Sequence, residues 1–190
     1  MSDRASSAVL TVPNLLSFLR ILLIPVFVAM IVHRPTTTAG LILFAFVVAT
    51  DWVDGWVARR TGQVSELGKV LDPTADRLAI AAGLVALVVR GVFPLWAASL
   101  VLIRDAAILI AGGVVLATRR MRMEVRFIGK VATFTLMTAI PWSAWGNLDL
   151  PLAEGALVAG WATFAVGVVE YYVAAGAYAA DIRRALTVGP

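Results

Sequence analysis

Residues 12–32 read VPNLLSFLRILLIPVFVAMIV, an apolar stretch whose single charged side chain is Arg20. Because a hydrocarbon core about 30 Å thick needs about 20 apolar residues in one helix, this stretch predicts a membrane-spanning helix. Five more apolar runs follow, separated by glycine, proline and charged residues. We therefore predict an all-α integral membrane protein with six transmembrane helices, at Val12–Val32, Ala39–Ala58, Val70–Val89, Leu95–Ala117, Phe127–Trp145 and Ala156–Ala179.

The composition supports this fold class and excludes several kinds of chemistry. Of the 190 residues, 61% are hydrophobic, whereas soluble domains have about 45–50%. The chain has no cysteine and one histidine, so disulfides, iron–sulfur clusters and thiolate zinc sites are excluded. Any metal must therefore bind oxygen ligands. In a membrane protein, a net charge of +4 reports orientation first, and we expect no nucleic-acid partner.

The distribution of basic side chains predicts the orientation of the helices. They concentrate between the second and third spans, between the fourth and fifth, and after the sixth, at Arg59, Arg60, Lys69, Arg119, Arg120, Arg122, Arg126, Arg183 and Arg184. The positive-inside bias then puts both termini in the cytoplasm. We predict an N-terminal cytoplasmic segment at 1–11, a transmembrane catalytic domain at 12–184 and a C-terminal tail at 185–190. No signal-peptide cleavage site follows the first apolar run, so we expect that span to be retained.

Four aspartates lie where the predicted spans should be apolar. Asp51 and Asp54 are near the end of the second span, and Asp72 and Asp76 are near the start of the third. A carboxylate in a span is costly unless it faces a polar cavity, a partner or a cation. Spacings of three and four put each pair on one helix face, so antiparallel neighbours could form one acidic pocket. Divalent cations, interhelical salt bridges and an ion-coupled carrier are the alternatives that this pattern leaves open.

The neighbouring residues favour phosphate chemistry. Gly55 and Ala58 continue the face of Asp51 with small side chains, which would let a nucleotide or diphosphate approach the backbone. Arg59 adds a planar guanidinium that can bind two phosphate oxygens at once. A pair of Mg²⁺ or Mn²⁺ ions about 3.5–4 Å apart is the usual device for clamping a diphosphate.

Together these residues read Asp51-x-x-Asp54-Gly55-x-x-Ala58-Arg59, eight residues, Gly68, three residues, Asp72, three residues and Asp76. This pattern resembles the signature of the CDP-alcohol phosphatidyltransferase family at every fixed position and in both gaps. The resemblance implies six transmembrane helices in a bacterial inner membrane, an active site on the cytoplasmic side and a homodimer.

The resemblance also implies roles for these residues. Two divalent cations, Mg²⁺ or Mn²⁺, would be held by the four aspartates, Asp51, Asp54, Asp72 and Asp76. The CDP moiety of CDP-diacylglycerol would contact Asp51, Gly55, Ala58, Arg59, Gly68 and Asp72. Asp76 would act as the general base: the acceptor hydroxyl attacks the phosphorus that bears the diacylglycerol, and CMP leaves.

The fifth span bears on the acceptor. Phosphatidylglycerophosphate synthases of this family usually show a second lysine and a glutamine where this chain has Ala132 and Leu136. The segment is more similar to the actinobacterial cardiolipin synthase branch, so we expect phosphatidylglycerol as acceptor and cardiolipin as product. Glycerol 3-phosphate is the alternative acceptor. Membrane lipids are the other expected partners, and possible acceptor or headgroup contacts are Asn14, Arg20, Arg104, Arg119, Arg126 and Lys130.

Arg104 and Asp105 near the middle of the fourth span, and Glu170 in the sixth, are further charges that need partners. We expect Arg104 to reach the acidic pocket or to pair with Glu170. Consecutive helix residues point about 100° apart, so Asp105 should point away from Arg104.

Overall fold

The computed structural model describes residues 12–61, 68–119 and 127–187, with side-chain surroundings for 15–50, 74–110, 129, 131–177 and 179–180. Over these ranges the chain is helical, and it forms no strand. The α-helices are α1 (Val12–Val32), α2 (Thr37–Thr61), α3 (Gly68–Arg90), α4 (Leu95–Arg119), α5 (Phe127–Gly146) and α6 (Ala153–Thr187), with one 3₁₀ turn at Arg34–Thr36. The predicted all-α class is confirmed, and each predicted span lies within one of these helices.

The largest difference from the sequence prediction is the length of α6. The apolar run was expected to end at Ala179, but the helix continues to Thr187. The added segment contains Asp181, Arg183 and Arg184. These charges end an apolar span without ending a helix, because arginine is a good helix former.

The chain divides into two compact units, the first of which ends at Val92. In it, α1 and α2 form an antiparallel hairpin around the 3₁₀ turn, where the Thr37 hydroxyl donates to the Ile31 carbonyl at 3.0 Å. Gly40 allows a close approach, since a Cβ there would lie 2.6 Å from the Ile31 amide nitrogen. Further along, the rings of Phe27 and Phe44 pack with centroids 5.3 Å apart. These contacts fix the register of α1 against α2.

The second unit begins at Phe93 and contains α4, α5 and α6. The backbones of α5 and α6 meet closely, because a Cβ on Gly160 would lie 2.5 Å from the Ser143 amide nitrogen. At one end of the unit, Phe93, Trp96, Trp161 and Phe164 form an aromatic cluster. Close packing of glycine against backbone and stacked rings therefore hold this unit together.

Two helical segments in the described part of the chain are long and apolar enough to cross a membrane, Leu15–Val32 and Ala153–Ala177. Only 22% and 28% of these windows, respectively, are buried inside the protein. A core helix of a soluble protein would be mostly buried. The exposed apolar surface therefore suits contact with lipid.

Candidate active site

Two contacts show the register of α2 against α3. The Arg90 Nε–H donates to the Thr37 hydroxyl at 2.9 Å, and a Cβ on Gly83 would lie 2.2 Å from Cε2 of Phe44. The second contact is seven residues further along α2 and seven residues back along α3, as expected for antiparallel helices. Seven residues are about two helical turns, so the same face returns.

The same seven-residue step continues to the aspartates. From Phe44 it leads to Asp51 on α2, and from Gly83 it leads to Asp76 on α3. Asp54 and Asp72 follow on the same two helices, one turn nearer to the connection. The backbone positions of the two aspartate pairs therefore lie at matching levels of the first unit.

Helix α1 reaches this level as well. Stepping back seven residues from Phe27, which packs on Phe44, leads to Arg20. The structure shows the contact directly: Arg20 Nη1 donates to Oδ1 of Asp76 in an ion pair. The Arg20 side chain is 4% exposed and that of Asp76 is 21% exposed. A buried arginine on α1 therefore neutralises part of the charge of one of the four aspartates.

The remaining motif residues are placed by their backbone alone. Asp51, Asp54, Gly55, Ala58 and Arg59 lie on the last part of α2, and Gly68 and Asp72 lie on the first part of α3. Their side chains lie outside the described residues, so Asp76 is the member of the aspartate set whose contacts are known. Among the residues with described side chains, no group of three metal-binding residues occurs.

The structure describes the expected acceptor-binding residues to different extents. Asn14 lies on α1, Arg119 is the last residue of α4, and Lys130 lies on α5, but their side chains lie outside the described residues. Arg126 lies outside the described residues altogether. Arg20 contacts Asp76 of the aspartate set, and Arg104 contacts Asp105 and Tyr171 of the second unit.

Ser17 is a buried polar residue on α1 that was not among the predicted site residues. This side chain is 2% exposed and lies three residues before Arg20, so it shares that face of α1. By the α1–α2 register it is level with Asp54. The signal was the polar residue at every third position, Asn14, Ser17 and Arg20, within an otherwise apolar helix.

The predicted pairing of Arg104 with Glu170 is wrong. Arg104 Nη1 donates to Oδ1 of Asp105 at 3.1 Å, and its guanidinium lies 3.6 Å from the centroid of the Tyr171 ring. The Tyr171 hydroxyl also donates to Asp105, which draws the two α4 side chains together although their Cβ atoms diverge. Glu170 instead accepts a hydrogen bond from the Thr135 hydroxyl at 3.0 Å. Residues 170 and 171 thus link α6 to α5 and to α4, respectively.

The two positions that bear on the acceptor are packed inside the second unit. Ala132 is 0% exposed and Leu136 is 3% exposed. A Cβ on Gly167 of α6 would lie 3.0 Å from Cδ2 of Leu136, so this leucine fills the space between α5 and α6. An amide or ammonium group at these positions would need a buried polar partner.

Comparison with known proteins matches these features to a family. A family model of CDP-alcohol phosphatidyltransferases matches residues 10–170. The chain is similar to the cardiolipin synthase (CMP-forming) of Streptomyces coelicolor, with 37% identity over 181 residues, 93% of this chain and 84% of the relative. It is also similar to the CDP-diacylglycerol–glycerol-3-phosphate 3-phosphatidyltransferase of Escherichia coli K12, with 33% identity over 146 residues, 70% of this chain and 76% of the relative. With α1 to α5 and about half of α6 inside the matched range, the chain belongs to the CDP-alcohol phosphatidyltransferase family of enzymes.

Proposed function

We propose that this protein is a cardiolipin synthase, which transfers the phosphatidyl group of CDP-diacylglycerol to phosphatidylglycerol and releases CMP. The observation that carries the proposal is the extent of the similarity to the Streptomyces enzyme, 37% identity over 93% of this chain. The similarity to the Escherichia coli glycerol-3-phosphate enzyme covers 70% of the chain at 33% identity. Because of this similarity, glycerol 3-phosphate is the alternative acceptor.

The four aspartates are proposed to hold two divalent cations, Mg²⁺ or Mn²⁺. The donor set fits such ions, because carboxylate oxygens are the hard ligands that both prefer. The matching levels of the two pairs on α2 and α3 support a shared site, and members of the family generally use divalent metals. When bound, the ions would neutralise the diphosphate and stabilise the leaving CMP.

The other motif residues would hold the nucleotide. Small residues at 55, 58 and 68 would leave room beside the helix backbones, and Arg59 would offer two parallel N–H donors to a phosphate group. Asp51 and Asp72 would complete the contacts to CDP. All of these residues lie on the connected ends of α2 and α3, which suits a ligand that spans both helices.

Asp76 would accept the proton of the acceptor. A hydroxyl oxygen of phosphatidylglycerol attacks the phosphorus that carries the diacylglycerol, and the bond from that phosphorus to the oxygen of the CMP phosphate breaks. The hydroxyl proton passes to the Asp76 carboxylate, and CMP leaves with the bonding electron pair. No covalent intermediate on the enzyme is needed.

The packing at Ala132 and Leu136 supports the choice of acceptor. Glycerol 3-phosphate carries a dianionic phosphate, which a pocket would normally meet with additional cationic donors. Here both positions are apolar and buried, so neither of them supplies such a donor. Asn14, Arg119, Arg126 and Lys130 are proposed contacts to the phosphatidylglycerol headgroup.

We further propose that all six helices cross the bacterial inner membrane, with both termini and the active site on the cytoplasmic side, and that the protein is a homodimer. The charge distribution supports this orientation, because Arg59 and Lys69 lie on the connected ends of α2 and α3 together with the aspartates, and further basic residues concentrate in the sequence between the fourth and fifth helices. The acceptor is itself a lipid, so the site must open sideways to the inner leaflet.

The test is an acceptor panel with the purified protein in phospholipid vesicles. CDP-diacylglycerol labelled in its acyl chains is supplied with phosphatidylglycerol, with glycerol 3-phosphate or with neither, and lipids are separated by chromatography. We expect labelled cardiolipin and an equal amount of CMP with phosphatidylglycerol alone. If glycerol 3-phosphate yields labelled phosphatidylglycerophosphate and phosphatidylglycerol yields no cardiolipin, then the acceptor is glycerol 3-phosphate and the proposed acceptor is wrong. No CMP release with any acceptor would refute phosphatidyl transfer itself.

A further inference from the structure

The buried arginine of α1 is a charge that membrane helices rarely contain. Arg20 is 4% exposed and lies within an apolar window, Leu15–Val32. A buried guanidinium is costly unless an anionic partner is present. The ion pair with Oδ1 of Asp76 supplies that partner, and it joins two elements that are 56 residues apart in sequence.

We propose that Arg20 is a positioning residue for the reaction, which holds Oδ1 of Asp76 so that Oδ2 faces the bound cation and the acceptor hydroxyl. This inference rests on the proposed function, because it assumes that Asp76 is the base. The carboxylate of an aspartate can rotate over a broad range about χ2. A contact that anchors one of its oxygens restricts this rotation. Pre-organised groups avoid the loss of rate that a misplacement near 1 Å causes.

Charge balance supports the same role. Four ionised carboxylates carry a formal charge of about −4, and two divalent cations carry about +4. With Arg20 added, the metal-loaded cluster retains one positive charge to meet the diphosphate. Arg20 brings a positive charge to this cluster through its contact with Asp76, and that charge opposes cation entry. Loss of Arg20 should therefore strengthen metal binding while it weakens catalysis.

These opposite effects on metal affinity and on kcat distinguish a positioning role from a purely structural one. A residue that merely holds the helices together would, when removed, weaken metal binding, turnover and thermal stability together. A residue that directs one carboxylate oxygen would, when removed, lower kcat and leave a more negative site that attracts Mn²⁺ more strongly.

The experiment uses the full-length protein with Arg20→Gln, Arg20→Lys and the control Arg90→Gln. Arg90 also links helices of the first unit, through Thr37, but lies at the far end of α3 from Asp76. Mn²⁺ affinity is measured by electron paramagnetic resonance without substrate, and kcat and KM are measured for CDP-diacylglycerol.

For Arg20→Gln we expect kcat to fall at least about tenfold, KM to stay within about twofold, and Mn²⁺ to bind at least about threefold more tightly. Arg20→Lys keeps the positive charge but lacks the planar guanidinium with its paired N–H donors. Its Mn²⁺ affinity should therefore be near the wild-type value, and its kcat should lie between those of the wild type and Arg20→Gln. Arg90→Gln should leave kcat and Mn²⁺ affinity unchanged.

Mn²⁺ binding that is unchanged or weaker in Arg20→Gln would overturn the proposal, as would a normal kcat. Should Arg20→Gln fail to fold, Arg20→Lys decides: Mn²⁺ affinity near the wild-type value with reduced kcat supports the role, and any other combination opposes it. If the wild-type protein binds Mn²⁺ but transfers no phosphatidyl group to any acceptor, the proposed function fails. If the wild-type protein is active and Arg20→Gln is normal, this inference alone fails.

Discussion

Replacing Gly83 with alanine should separate α2 from α3 and reduce turnover. A Cβ at this position would lie 2.2 Å from Cε2 of Phe44 and 2.6 Å from Cζ, whereas carbon atoms in good contact are about 3.5–4.0 Å apart. The ring cannot easily move aside, because Phe44 is 2% exposed and packs on Phe27. The helices must therefore shift by about 1 Å or more.

The size of the effect follows from two opposing contributions. Overpacking of a close-packed site costs about 1–3 kcal/mol, and alanine in place of glycine in a helix returns about 0.5–1 kcal/mol. The central values of these two ranges leave a net loss of about 1.3 kcal/mol, which corresponds to a fall in Tm of about 3–5 °C for a chain of this size. Because the same contact sets the level of Asp76, two turns away, kcat should fall at least about tenfold.

Thermal unfolding of the purified protein in detergent, followed by tryptophan fluorescence, measures the first effect, and CMP release measures the second. Gly176→Ala is the matched control, since no described atom lies within 4 Å of a Cβ at that position, and its Tm should be unchanged or higher. Phe44→Leu combined with Gly83→Ala should recover part of the loss. A Gly83→Ala protein as stable and active as Gly176→Ala would refute the packing argument.

Three further changes address the chemistry. Asp76→Asn keeps the size of the side chain but removes the base, so turnover should fall at least about a hundredfold; near-normal CMP release would show that Asp76 has no such role. A chelator in excess should abolish activity and added Mg²⁺ or Mn²⁺ should restore it; activity that persists with chelator would contradict metal dependence. Arg59→Lys replaces a two-pronged donor with a point charge, so kcat/KM for CDP-diacylglycerol should fall about tenfold or more; an unchanged value would count against a phosphate contact.

The helices could be predicted well from apolar length, and their contacts could not. The first span, Val12–Val32, matches α1 at both ends, because proline, glycine and charged residues interrupt the apolar runs sharply. The charged end of α6 was missed, since apolar length reports a span and not a helix. Register depends on shape: the glycines at 40 and 83 fit against particular neighbours, which composition does not reveal.

Charges within the apolar helices could likewise be recognised from the sequence, but their contacts could not. The sequence singled out Asp76 and Arg104 as charges in apolar spans that need partners, and it gave Arg20 as a possible acceptor contact, but it did not identify the residues that they contact. Arg20 reaches a residue on another helix far along the chain. Arg104 folds back onto its own neighbour, because the hydroxyl and the ring of Tyr171 hold Asp105 and the guanidinium together. The position of a residue around a helix predicts where its Cβ points. The end of a long side chain can still reach a partner that lies in another direction.

The most direct measurement is the number of Mn²⁺ ions bound to each chain and their magnetic coupling, by electron paramagnetic resonance of the purified protein. If the carboxylates of α2 and α3 form one site, each chain should bind two Mn²⁺ ions that are spin-coupled, as expected for ions about 3.5–4 Å apart. Asp51→Asn should abolish the coupled signal. Fewer than two ions per chain, or two ions with no coupling, would contradict a shared site formed by the four aspartates.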